Sequence, residues 1–225
     1  MKKFEQEIDR VKTCLQTNEL PGIKAQLKMA PITRLTEISR SQFSTEHGGT
    51  KAKFPRKSAV LILLYPKNNT VYLVMMVRAA DNTVHSGQVS FPGGKVEKSD
   101  SSISYTALRE AHEEIGVLPN TVDIIGKLTK LYIPPSNFDV YPVVGIVNST
   151  PVFIPNNEVH KLLEVELSTL FNPNTAGYEK IYHRTGGEFV VPCFHIQGEI
   201  VWGATAMILA ELLDVISIVV LPQRR

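Results

Sequence analysis

The stretch Phe91-Pro92-Gly93-Gly94-Lys95-Val96-Glu97-Lys98-Ser99-Asp100-Ser101-Ser102 runs directly into Ile103-Ser104-Tyr105-Thr106-Ala107-Leu108-Arg109-Glu110-Ala111-His112-Glu113-Glu114-Ile115-Gly116. The first half reads as a strand end with two glycines free to take backbone angles closed to other residues, then a polar turn suited to capping. The second half reads as a helix over 103–115. At about 100° per residue, Glu110, Glu113 and Glu114 share one arc of about 100°, while Leu108, Ala111 and Ile115 cluster opposite. Like charges at i,i+3 and i,i+4 each cost roughly a few tenths of a kcal/mol, so three carboxylates on one arc need a reason. Two are open. The arc is a solvated face, or it meets a hard dication, which takes oxygen ligands and is shared between carboxylates and substrate phosphates. Arg109 stands four residues before Glu113 and can hold it in place. His112 lies off the arc and reads as structural.

Working outward, residues 59–65 form a short apolar run closed by Pro66-Lys67-Asn68-Asn69 and answered by residues 71–77, a hairpin of two buried strands. Phe4, Ile8, Val11 and Leu15 fall at helical spacing, so residues 3–17 form an amphipathic helix that ends before Pro21-Gly22. Residues 30–57 are a polar lead-in that closes on Lys51, Lys53, Arg56 and Lys57. Downstream, residues 122–125, 128–133 and 140–147 read as strands. Residues 158–163 read as the start of another helix, with Asn156 and Asn157 as caps. Residues 181–182, 189–196 and 200–202 suggest a late sheet region, and 204–215 a closing helix against which Trp202 packs. Strands and helices mix without regular alternation or a fixed repeat, which gives an α+β fold.

A chain of 225 residues that is 43% hydrophobic can bury a full core, and one domain with an accessory element fits it best. A net charge of +2 argues against a nucleic-acid partner, because a phosphate-tracking surface carries a clear Lys/Arg excess. Cys14 and Cys193 have no second Cys or His pair near them in sequence, so they read as reduced thiols. No apolar run reaches the roughly 18 residues of a membrane span, and the charged start does not read as a signal peptide. The expectation is a cytoplasmic protein that does not enter a membrane. Gly94-Lys95 is followed by Val96 rather than Ser or Thr, which excludes a P-loop.

The run Gly94, Asp100, Arg109-Glu110, Glu113-Glu114 and Ile115-Gly116-Val117 resembles the signature box of the Nudix hydrolases, with the interval from Asp100 to Arg109 one residue longer than the common form. The stretch from Arg78 through His85, Gly87 and Gln88 to Phe91-Pro92-Gly93-Gly94 resembles the motif of the coenzyme A pyrophosphatases within that superfamily. Thr83 stands where one form of that motif has a second Arg, and Met75-Met76-Val77 departs from its usual lead. The resemblance implies a Nudix fold, a mixed β-sheet sandwiched between α-helices with an N-terminal helical extension. Residues 1–50 would be a helix and lead-in packed on the core, and 51–225 the hydrolase domain. The implied reaction is metal-dependent hydrolysis of the diphosphate bond of coenzyme A or its derivatives, giving 4′-phosphopantetheine and adenosine 3′,5′-bisphosphate. The alternatives are another nucleoside diphosphate derivative (ADP-ribose, NADH or a dinucleoside polyphosphate) and a non-catalytic nucleotide-sensing module. The implied cofactor is Mg²⁺ or Mn²⁺, held by Glu110, Glu113 and Glu114 with the Gly93 carbonyl. Arg109, Glu110, Glu113, Glu114 and Glu158 would be catalytic, the general base being a helix glutamate or Glu158. Arg56, Arg78, His85, Gly87, Gln88 and Gly94 would bind a small nucleotide-like substrate, with Arg56 meeting a 3′-phosphate. The first and last helices could also cover a partner in a homodimer.

Overall fold

The computed structural model describes residues 2–17, 19–32, 34, 54–80, 87–182 and 187–220. Helix α1 (Lys2–Thr17) and the short α2 (Gly22–Gln26) precede a hairpin of β1 (Arg56–Lys67) and β2 (Thr70–Arg78). The expected turn is there. Asn68 and Asn69 both take positive φ (49° and 64°), as a two-residue hairpin turn requires, and Lys67 pairs with Thr70 across it. The short strands β3 (Val89–Ser90) and β4 (Gly93–Lys95) then lead into α3 (Ile103–Ile115). β5 (Asp123–Lys127), β6 (Leu131–Ile133), β7 (Phe138–Ile146) and β8 (Val159–Glu166) complete the main sheet. A second sheet of β9 (Ala176–Tyr182), β10 (Glu188–Ile196) and β11 (Glu199–Trp202) feeds the closing helix α4 (Gly203–Val220).

Two features of the main sheet place the site. β1 lies parallel to β7 and antiparallel to β2, so it is buried on both faces and reads as a continuous apolar run rather than an alternating one. Ile62 and Leu64 face one cluster, with α1 and α4, whereas Leu61 and Leu63 face a second, with Ala107, Ala111 and Ile115 of α3. The sheet is therefore sandwiched between helices. Second, the hairpin forks. Leu64–Lys67 pair with Thr70–Leu73, but nearer the other end Ser58–Val60 pair with β4 while Met76 and Val77 pair with β3.

One segment differs from its sequence reading. Residues 158–163 begin strand β8, not a helix, and pair antiparallel with β2. Burial of Val159, Leu163 and Val165 against the core outweighs local helix propensity, and Asn156 Oδ1 accepts the Glu158 N–H at 2.8 Å to cap a turn. The strands expected at 122–125 and 128–133 settle at β5 and β6, with a register shift between Ile124 and Gly126 against β7. Trp202 ends β11 half-buried, edge-on to Phe189 at 6.0 Å, rather than as core packing of the last helix.

The N-terminal helix covers the chain's own core: Phe4, Ile8, Val11 and Cys14 are buried in one cluster with Met207, Ile208 and Leu212 of α4. The apolar stripe thus packs on the chain's own core, as a helix and lead-in packed on the core would. Cys14 and Cys193 are both buried, and neither is in a disulfide. Among the described residues no helix is long and apolar enough to cross a membrane. A polar latch joins the N-terminal segment to α4. The fully buried Glu211 accepts Gln26 Nε2 at 2.8 Å and the Thr129 N–H at 3.1 Å. Leu in place of Glu211 leaves two buried donors short of a partner, at about 1–3 kcal/mol each. Glu211→Leu is expected to lower the unfolding free energy by about 2–4 kcal/mol in urea titration; an unchanged midpoint would show that the latch contributes nothing.

Candidate active site

Helix α3 forms where the sequence places it because both ends are capped. Ser102, in extended conformation, accepts the Tyr105 N–H at 3.1 Å, and Gly116 takes a left-handed φ of 76° that most side chains resist. The last carbonyls are covered by the segment after β7. Ile154 N–H reaches the Ile115 carbonyl, and Asn156 N–H the Glu114 carbonyl, each at 2.9 Å. Phe153 in the same segment stands edge-on to the buried Tyr65 at 5.5 Å. Sequence reading missed this strap because nothing local marks it; only the packed helix end gives its N–H groups an acceptor.

The polar turn before the helix is organised by Asp100, whose side chain is fully buried. Its Oδ1 accepts Arg109 Nε at 2.9 Å, and its Oδ2 accepts Arg109 Nη2 at 3.1 Å, the Thr106 hydroxyl at 2.8 Å and the Glu97 N–H at 2.9 Å. These donors, Arg109 first, hold its carboxyl well below the usual carboxylate range. Arg109 in turn reaches the Lys95 carbonyl at 3.1 Å, Glu110 Oε1 at 2.9 Å and, as expected, Glu113 Oε2 at 3.1 Å. The longer interval between Asp100 and Arg109 therefore leaves the pair intact.

The three glutamates do not share one environment. Glu113 is half-exposed, Glu110 is mostly covered, and Glu114 is 3% exposed at the fork of the sheet. Glu114 Oε2 accepts the Gly93 N–H at 2.8 Å, and Oε1 faces Arg78 Nη1 at 3.5 Å. Burial pushes the Glu114 carboxyl up to about 7 against the pull of Gly93 and Arg78, and neighbouring Glu110 and Glu158 add to the rise. Burial also raises Glu110, with Arg109 opposing. Gly94 is what lets the helix close on the turn, since a Cβ there would lie 2.5 Å from the Glu110 carboxylate.

Glu158 reaches the same place from the turn before β8, its Oε2 3.6 Å from Arg78 Nη2. Gln88 contributes its carbonyl, which accepts the Arg78 N–H at 3.0 Å, and Gly87 precedes it with φ 71°. Arg56 is engaged elsewhere: its guanidinium lies over the Phe138 ring at 4.1 Å and donates to the Ser136 carbonyl at 3.0 Å. His85 lies outside the described residues, as do Lys51 and Lys53.

Among the described residues, no three carboxylate, imidazole or thiol groups already stand at metal-holding distances. The donor set nevertheless fits a hard cation. It consists of carboxylate oxygens, and the charge of Glu110 and of Glu114 is disfavoured by burial and by neighbouring carboxylates, which a dication would relieve.

Comparison with known proteins shows the family. The uncharacterized Nudix hydrolase NudL of Pectobacterium atrosepticum is 40% identical over 160 residues, covering 70% of this chain and 81% of that one. The NudL of Cronobacter sakazakii is 34% identical over 192 residues, covering 83% and 96%. Among solved structures, the Nudix hydrolase RenU of M. smegmatis aligns over 78% of this chain and 94% of its own at 15% identity, with a TM-score of 0.48. This is a hydrolase of acid anhydrides in phosphorus-containing compounds. Within that class the chain belongs to the Nudix family, whose NUDIX domain model matches residues 55–184.

Two substitutions separate stability from site geometry. Asp100→Asn strips the charge from an acceptor of four donors beside a mostly buried guanidinium, and is expected to cost about 2–4 kcal/mol of unfolding free energy. The Cβ added by Gly94→Ala meets the flexible end of Glu110 first, so the variant's melting temperature is expected near wild type while diphosphatase activity falls by about 10²-fold. Equal melting losses in the two variants would contradict this division.

Proposed function

We propose that the protein hydrolyses the diphosphate bond of coenzyme A or its derivatives, using Mg²⁺ or Mn²⁺, to 4′-phosphopantetheine and adenosine 3′,5′-bisphosphate. The observation that carries the reading is the meeting of Glu110, Glu114, Arg78 and Glu158 over the Gly93-Gly94 turn at the fork of the sheet. The choice of coenzyme A rests on the Arg78, His85, Gly87 and Gln88 stretch and its likeness to the pyrophosphatase motif. The two buried thiols, neither in a disulfide, accord with a reducing cytoplasm.

Glu110, Glu113 and Glu114 would hold the cation, with the Gly93 carbonyl as a further ligand. When bound, the cation supplies acidity to water and neutralises charge that grows on the phosphoryl oxygens. Arg109 positions Glu110 and Glu113 without touching substrate, since its donors are shared among Asp100, the Lys95 carbonyl and the two glutamates. Glu158 is the most exposed carboxylate near the fork, its side chain 63% accessible, and would take a proton from the attacking water. That water adds to one phosphorus, the bridging P–O bond breaks, and the bridging oxygen leaves on the other phosphate. Arg78, Gln88, Gly87 and His85 would line the diphosphate side with the backbone of Gly94. Arg56, at the start of β1, would meet the 3′-phosphate if its guanidinium leaves Ser136.

Thr83, in place of the second Arg of one motif form, favours the second reading, in which ADP-ribose, NADH or a dinucleoside polyphosphate is cleaved by the same site. Mass spectrometry of products from coenzyme A, ADP-ribose and NADH with Mg²⁺ or Mn²⁺ separates the two. Coenzyme A is expected to give the highest kcat/KM, Glu114→Gln to abolish metal-dependent turnover, and Glu158→Gln to lower kcat by about 10²-fold or more at similar KM. No metal-dependent product from any of them would sink the enzymatic reading.

A further inference from the structure

We propose that Arg78 is the built-in counterion of the metal-free site and competes with the divalent cation for Glu114, weakening metal binding by the substrate-free protein. The inference rests on the reading of Glu114 as a metal ligand. Glu114 has one oxygen committed to the Gly93 N–H, and the other, Oε1, faces Arg78. An incoming cation needs that second oxygen, so it must displace the guanidinium or bind beside it.

The two arginines near the carboxylates differ in how firmly they are held. Arg109 makes a two-point fork with the fully buried Asp100 at 2.9 and 3.1 Å, the geometry of a strong charge-assisted pair. Arg78 instead straddles two acceptors, Glu114 at 3.5 Å and Glu158 at 3.6 Å, both longer than the roughly 2.7–2.9 Å of such a pair. It is drawn to the negative charge without being locked to either carboxylate. The straddle is built into the backbone. β8 carries one extra residue, His160, opposite the step from Val77 to Arg78. The slip sets Val159 opposite Arg78 and lets the Glu158 carbonyl accept the Ala79 N–H at 2.8 Å, which brings the Glu158 carboxylate alongside the guanidinium.

A positive charge in contact with a metal ligand must weaken metal affinity, whatever else it does. Were Arg78 merely an orienting contact for Glu114, its removal would weaken metal binding, so the two roles predict opposite signs. Mn²⁺ binding to the protein without substrate, read by the electron paramagnetic resonance of free Mn²⁺, decides between them. Arg78→Gln and Arg78→Met are expected to bind Mn²⁺ about 5-fold or more tighter than wild type, and Arg78→Lys to stay near wild type. Unchanged or weaker binding in whichever neutral variants fold, with wild type binding Mn²⁺, overturns the inference alone. A shift in Arg78→Lys equal to theirs also overturns it, because charge is then not the cause. Failure of wild type and of the folded neutral variants alike to bind Mn²⁺ overturns both this inference and the metal-dependent reading beneath it.

Discussion

The buried fork between Asp100 and Arg109 is the interaction on which the acidic helix depends. Three glutamates within five residues repel one another, and a helix carrying them on one side gains nothing from their proximity. Asp100 resolves this indirectly. By accepting two of the Arg109 donors, the Thr106 hydroxyl and the Glu97 N–H, it fixes a guanidinium whose remaining donors then hold Glu110, Glu113 and the Lys95 carbonyl. Turn, helix start and carboxylates become one rigid piece. A buried ion pair of this kind is weak evidence for net stability, but here it fixes geometry, because each of its donors ends on a different part of the turn or helix.

That rigid piece needs somewhere to sit, and the forked hairpin supplies it. Where β1 parts from β2, the short strands β3 and β4 take over the two freed edges, and the first residue of β4 delivers the Gly93 N–H to Glu114. The fork is held open from both faces of the sheet. On one side α3 packs Ala107, Ala111 and Ile115 against Leu61 and Leu63; on the other α4 and α1 close over Ile62 and Leu64. Thr205 at the start of α4 even donates to the Val89 carbonyl of β3 at 2.9 Å, tying the far helix to one arm of the fork. The N-terminal and C-terminal helices thus serve the site at a distance, by fixing the strands that frame it.

How far the sequence could be read follows from which forces are local. Helix 103–115 was legible to the residue, because Ser102 caps it, Gly116 ends it and the apolar positions repeat at helical spacing. The hairpin was legible from two apolar runs around Asn68-Asn69. Residues 158–163 were not, since their strand identity comes from pairing with β2, some eighty residues away in sequence. The wheel likewise put Glu114 on the same arc as Glu113 but could not show that one is buried under β3 and β4 while the other faces solvent; a helical wheel gives direction, not what lies there. Asp100 stood at an irregular interval from Arg109, and only the folded turn shows that the extra residue is absorbed before the helix begins.

Charge at the fork is left unbalanced in a way that favours the chemistry. Asp100, Glu110, Glu113, Glu114 and Glu158 face two guanidiniums, of which Arg109 is largely consumed by Asp100. Burial answers the excess by disfavouring ionisation of Glu110 and Glu114, which is a cost carried by the fold rather than a gain. A site that carried enough arginine to neutralise itself would have no call on a dication and would hold a diphosphate by guanidinium alone. One with no Arg78 would, on the proposed reading, hold a dication more tightly in the absence of substrate. One locked arginine and one loosely placed between two carboxylates lie between these extremes, and on the proposed reading the cation would meet the remaining negative charge together with that of the diphosphate.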